Sequence, residues 1–161
     1  MLLISDANIF IDLHNIGLLE EFNNLDIDVA TSDFVYDELN SSQKAIVDTM
    51  DIEIYELNSN ELVDFFNDYQ ALGKVKISYQ DYSIYHFAKE HNGEVLTNDG
   101  ALRKFARQNS IGYKGIFYIL DLIIEQSSMN DASIYMAIEQ LKNNSWLPQN
   151  EIDKRLDELS T

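Results

Sequence analysis

The chain predicts an α/β fold with a mainly parallel central sheet and a helical C-terminal tail. Two observations carry this: short apolar runs of strand length alternate with helical patterns of longer period, and the helices recur between successive strands, as βαβ crossovers require. A third concerns size. At 161 residues and 45% apolar composition the chain can bury one substantial core, and it shows no repeat, low-complexity run or linker that would mark a second independent unit.

Taken in order, Leu2 to Ser5 reads as a buried strand. Asn8 to Leu13 starts a helix that continues, kinked near Gly17, through Leu18, Leu19 and Phe22. Asp28 to Thr31 is a second strand, after which Ser32 caps a helix carrying Phe34, Val35 and Leu39. Helical period resumes near Ser42 with Ala45, Ile46 and Met50, and Ile52 to Leu57 alternates as a strand does. Asn58 or Ser59 caps a helix bearing Leu62, Val63, Phe65, Phe66 and Tyr69. Ser78 with Asp81 resembles a capping box opening a helix from Tyr82 to His91. Glu94 to Thr97 is a strand, Asp99 to Gln108 a helix and Ile111 to Tyr113 a short strand. Ile116 to Ile124, Ala132 to Leu141 and Ile152 to Leu159 form three closing helices.

Composition narrows the chemistry. No cysteine is present, which excludes disulfides, thiolate metal sites and cysteine nucleophiles and fits a reducing compartment. The N-terminal residues lack a signal-peptide pattern, and the longest apolar stretch, Ile116 to Ile124, falls short of the roughly 20 residues that span a bilayer. The expectation is a soluble cytoplasmic protein with no membrane partner. A formal net charge of -17 opposes long-range attraction to nucleic acid. The basic residues nevertheless cluster in the middle of the chain, where Lys74, Lys76, Lys89, Arg103, Lys104, Arg107 and Lys114 surround two acidic positions of interest.

Those positions belong to a set of four. Asp6 follows the first strand, Asp99 follows Glu94 to Thr97 after one intervening residue, and Glu38 and Asp81 sit on helices near the same sheet edge. In an open parallel sheet, ligands bind beyond the carboxyl ends of the strands. Carboxylates gathered there repel one another unless a cation joins them, so a hard divalent ion enters the expectation. Each residue also has an ordinary role. Asp81 and Asp99 can cap helices, and Glu38 can be solvated, with Asp37 an equally acidic rival. His86 and His91 lie in no ligand spacing.

The segments Leu3-Ile-Ser-Asp6-Ala-Asn8-Ile-Phe-Ile-Asp-Leu13, Val35-Tyr-Asp-Glu38-Leu39, Asp81 to Ala88 and Val95-Leu-Thr97-Asn-Asp99-Gly-Ala-Leu102 resemble, in order and spacing, the motifs of the PIN domain. Gly115-Ile-Phe-Tyr-Ile-Leu120 resembles the segment that follows in prokaryotic members, including VapC-type toxins. The resemblance implies a three-layer α/β/α fold over residues 1–125, with residues 126–161 a helical extension packed on the same domain. It implies a ribonuclease dependent on one or two magnesium or manganese ions, with Asp6, Glu38, Asp81 and Asp99 as catalytic metal-binding carboxylates and Asn8 and Thr97 as supporting polar groups. RNA would be the substrate. Arg103, Lys104, Arg107 and Lys114 could hold flanking phosphates, or equally form a solvated helix face. Tyr79, Tyr82 and Tyr85 could stack bases but read better as packing residues. The apolar stripes Ile134, Ala137, Ile138, Leu141 and Leu147, Ile152, Leu156, Leu159 are expected to cover the core; a homodimer surface or an antitoxin-binding groove is the alternative. Two other functions compete with this one: a noncatalytic acidic interaction module, and a related nuclease acting on structured DNA.

Overall fold

The computed structural model describes residues 1–144 and 146–161. Leu3 and Ile4 are fully buried, one on each face of the first strand, β1 (Leu2–Ser5), and this double burial places β1 at the centre of the sheet. β1 pairs in parallel with β2 (Asp28–Ser32) on one side and β4 (Glu94–Leu96) on the other. β3 (Glu53–Tyr55) extends the sheet beyond β2, and β5 (Tyr113–Lys114) extends it beyond β4, giving the order β3-β2-β1-β4-β5. The register sets Ile4 against Ala30 and Val95. The order reverses direction at β1 and β4, so the crevice of this sheet lies where those two strands end.

Helices cover both faces. α1 (Ala7–Asn15), α2 (Leu19–Asn23), α4 (Ser41–Asp48) and α8 (Ile116–Gln126) contribute to one apolar cluster with Leu3 and Leu96 of the sheet. α3 (Asp33–Glu38), α5 (Ser59–Ala71), α6 (Tyr79–Glu90) and α7 (Gly100–Gln108) contribute to a second cluster with Ile4, Ala30 and Val95. Strand alternation therefore separates two cores, and the three-layer α/β/α arrangement follows.

The last two helices are α9 (Asp131–Glu139), which runs into a 3-10 turn at Gln140–Asn143, and α10 (Gln149–Leu159). Their residues Ile134, Ile138, Ile152 and Leu156 enter the same cluster as Ile9 and Phe10 of α1. Arg155, only 7% exposed, fastens α10 to α8 through paired 2.8 Å bonds from its Nε and Nη2 to the Asp121 carboxylate. Its guanidinium lies over the Phe117 ring.

Local chemistry moves two expected boundaries and alters one expected cap. The helix expected to bend at Gly17 is two helices, because Gly17 adopts φ 77° and the Leu18 amide turns back to the Leu13 carbonyl, closing α1. The last strand starts at Tyr113, since Ser110 takes φ 61° and the Ile111 amide donates to Ala106 O at the end of α7. Full capping boxes form at Asn40 with Gln43 and at Asn58 with Glu61. At Ser78 only the hydroxyl half forms, accepting from the Asp81 amide, and the Asp81 carboxylate faces a cavity instead.

Candidate functional site

A cavity of about 330 Å³ opens at the carboxyl end of β1, and Asp6, Glu38, Asp81 and Asp99 all line it. Each arrives from a different element. Asp6 is the N-cap of α1, directly after β1, so the chain that satisfies the first helical amides also projects a carboxylate from the central strand. Its Oδ1 accepts from the Ile9 amide at 3.2 Å and its Oδ2 accepts from the Thr97 hydroxyl. Thr97 is fully buried just beyond β4, and its Oγ1 also accepts from the Asp99 amide at 3.0 Å. One hydroxyl thus ties Asp6 to Asp99 across the switch point. Asp99 caps α7, its Oδ2 accepting from the Leu102 amide at 2.8 Å, and it remains exposed.

Glu38 ends α3 and Asp81 sits in the first turn of α6. The two helices pack against each other, with the Ser32 and Ser83 hydroxyls 2.7 Å apart, and both acids line the cavity. Asp37 does not line the cavity, so the geometry separates it from Glu38. Asn8, in the first turn of α1, is exposed and lines the mouth with Gln43 and Ser78.

The electrostatics record the crowding. Burial pushes the Asp6 carboxyl from 3.8 up to about 6; bonds from Thr97 and Ile9 oppose the rise, and the neighbouring charges of Asp81 and Asp99 add to it. Asp81 is also raised to about 6, first by burial and then by Asp99 and Glu38, with Ser78 opposing. The site is therefore a set of oxygen donors whose full ionisation is unfavourable without a positive charge among them. Among the described residues, no three His, Cys, Asp or Glu side chains converge tightly enough to enclose an ion by themselves. Oxygen-only donors around an open cavity suit a hard cation that keeps several waters and takes few direct protein ligands.

The basic residues divide into two kinds. Arg103 is turned inward: its Nε donates to Thr97 O at 2.8 Å, its Nη2 donates to Asn98 Oδ1 at 3.2 Å, and it lies over the Tyr113 ring. Lys114 pairs with Glu94 at 2.9 Å. Lys104 and Arg107 are exposed on α7. Asn98 and Gly115 escaped the sequence reading as positioning residues. Asn98 Oδ1 accepts from the Ile116 amide at 3.0 Å, joining the Thr97–Asp99 turn to α8. A Cβ at position 115 would fall 1.9 Å from Arg103 Nη2 and 2.5 Å from Asn98 Oδ1, so Gly115 provides the room this brace occupies. An amide between two motif residues and a glycine before an apolar helix were the only signals. Tyr82 and Tyr85 are buried against Phe105, leaving Tyr79 as the exposed member of that trio.

The chain is similar to solved structures. A structure of VapBC-1 from nontypeable Haemophilus influenzae is similar at a TM-score of 0.50 and 20% identity, over 72% of this chain and 98% of its own. A structure of VapBC2 from Rickettsia felis, bound to a DNA fragment from its promoter, is similar at a TM-score of 0.48 and 15% identity, over 71% and 98%. No match is found among curated proteins. The PIN domain family model matches residues 2–161, which is nearly the whole chain. With the carboxylates of four segments at the switch point of a parallel sheet and a family match of that extent, the chain belongs to the PIN domain family.

Proposed function

We propose that this protein is a divalent-cation-dependent endoribonuclease acting on RNA phosphodiester bonds, and that it serves as the toxin of a toxin–antitoxin pair. The observation that supports the nuclease reading best is the gathering of Asp6, Glu38, Asp81 and Asp99 around one cavity from four separate elements. Magnesium or manganese, as one ion or two, would supply electrophilic polarisation of the phosphate and a reactive water near neutral pH. Asp6 and Asp99 are the main cation ligands, held in mutual register by the Thr97 hydroxyl. Glu38 and Asp81, which line the same cavity, would orient water and complete the oxygen donor set. Asn8 positions the substrate at the mouth. Lys104 and Arg107 contact flanking phosphates, while Arg103 holds the turn that carries Asp99. The toxin role rests on the VapC-like motifs, with an antitoxin protein as the implied partner.

Incubating the purified protein with structured and single-stranded RNA, with and without magnesium or manganese, tests the reading. Cleavage is expected only with the cation and is abolished in Asp6→Asn. Cleavage in EDTA, or a fully active Asp6→Asn, refutes the mechanism. A protein that neither binds the cation calorimetrically nor cuts RNA fits the acidic interaction module instead, a reading that the net charge of -17 favours.

A further inference from the structure

Beside the carboxylate cavity, a group of aromatic rings reaches solvent. Tyr79 is 41% exposed and Phe66 is 37% exposed. Their rings stand 5.9 Å apart and both meet Phe34, Tyr79 at 5.8 Å and Phe66 at 5.9 Å, edge to face. Phe34 is stacked in turn on the buried Phe65 at 4.9 Å. The exposed rings are therefore braced from beneath by the core. Folding gains little from leaving two such rings in water, since each could bury most of its area.

Position relates the patch to the cavity. Tyr79 directly follows Ser78, and Phe34 directly precedes Val35; Ser78 and Val35 both line the cavity. The exposed Lys74 and Lys76 lie in the loop just before Ser78, and neither forms an ion pair among the described residues. Flat rings held rigid, with unpaired cations a few residues before one of them in the chain, form the combination that binds single strands: the rings take base faces and the lysines take phosphates. The exposed branched aliphatic side chains close to these residues in sequence are Val63 and Val75, the latter between the two lysines.

We infer that Phe66 and Tyr79, with Lys74 and Lys76, form a stacking subsite for an unpaired base of a single-stranded RNA whose backbone enters the carboxylate cavity. This rests on the ribonuclease reading and adds to it the residues outside the acids that would hold one base of the strand.

Anisotropy of a labelled single-stranded RNA octamer tests the subsite, with Asp6→Asn as the common background so that no cleavage intervenes. Tyr79→Ala and Phe66→Ala should each weaken binding by about tenfold, within the range for losing one stacked base. Tyr79→Trp should restore it. Lys74→Ala with Lys76→Ala should flatten the salt dependence. An abasic scan of the octamer should find one position that matters to the Tyr79-containing protein and not to Tyr79→Ala. Unchanged melting temperatures, expected because both rings are partly exposed, confirm that folding is intact. Equal affinity in the alanine variants, equal binding of the duplex, or no RNA binding overturns the subsite. Loss of binding in the alanine variants of a protein that never cleaves RNA would leave the subsite standing and remove the nuclease.

Discussion

Asp6→Asn should make the cation-free protein more stable at neutral pH while abolishing the proposed activity. Asp6 is 6% exposed, and its carboxyl is raised from 3.8 to about 6 by burial. The native state thus holds the proton more tightly than the unfolded chain does. Stability from this group is complete below pH 3.8 and is lost as pH rises through about 6. At about 1.4 kcal/mol per pH unit, the rise corresponds to about 3 kcal/mol of destabilisation at neutral pH. Asparagine keeps an oxygen for the Ile9 amide and turns its amide toward Thr97, whose hydroxyl oxygen can accept. Against the parent in EDTA, the variant should therefore melt higher by about 6 to 12 °C near pH 7.5, since about 1 kcal/mol moves a domain of this size by roughly 2–4 °C. The gap should close near pH 4, where both proteins are uncharged at this position. Millimolar magnesium should raise the parent and not the variant, reversing the order. Circular dichroism melts across pH, with and without magnesium, read all of this. A variant less stable than the parent by the same amount at every pH refutes the reasoning, because Asp6 would then act as a cap and not as a buried charge.

Gly115→Ala should reproduce Arg103→Ala: the new methyl displaces the guanidinium from Thr97 O, and both variants should lose cleavage by tenfold or more while the unfolding free energy falls by less than about 2 kcal/mol. A full loss of folding in either would show that the brace is structural alone. Glu38→Gln should impair cleavage and Asp37→Asn should not, since only Glu38 lines the cavity; equal effects in paired rate measurements would reject that assignment. Arg155→Met should destabilise by about 2 kcal/mol in urea unfolding through loss of the paired bonds to Asp121, and a neutral result would show that the Phe117 contact carries the interaction.

Much of the fold was legible because local chemistry and tertiary burial agree. Leu3 and Ile4, adjacent and both apolar, demand a strand covered on two faces, which only a central position satisfies. Ser32, Asn58 and Asp99 announce helix starts by a bond that spans three residues. The four candidate acids stood out because Asp6 and Asp99 follow predicted strands while Glu38 and Asp81 lie on predicted helices near the same sheet edge. What stayed hidden depends on groups distant in sequence. Charge and exposure statistics suggest that Arg103 faces solvent, yet its partners are the Thr97 carbonyl and the Asn98 side chain, and its place depends on Gly115 lacking a Cβ. Lys114 is paired because β4 and β5 lie side by side, bringing Glu94 within reach. The break at Gly17 turned on one positive φ that apolar periodicity cannot register.

Ile152 and Leu156 of the last helix share a cluster with Ile9 and Phe10 of the first. During synthesis, apolar surface of the helical layer formed by α1 and α8 therefore stays uncovered until α10 has left the ribosome. Translation halted after α8 would leave an open apolar layer beside an already assembled sheet, a form suited to capture by chaperones or proteases. For a protein whose proposed activity destroys RNA, that order of assembly delays the settling of the layer containing α1, the helix that Asp6 caps, until α10 has been made.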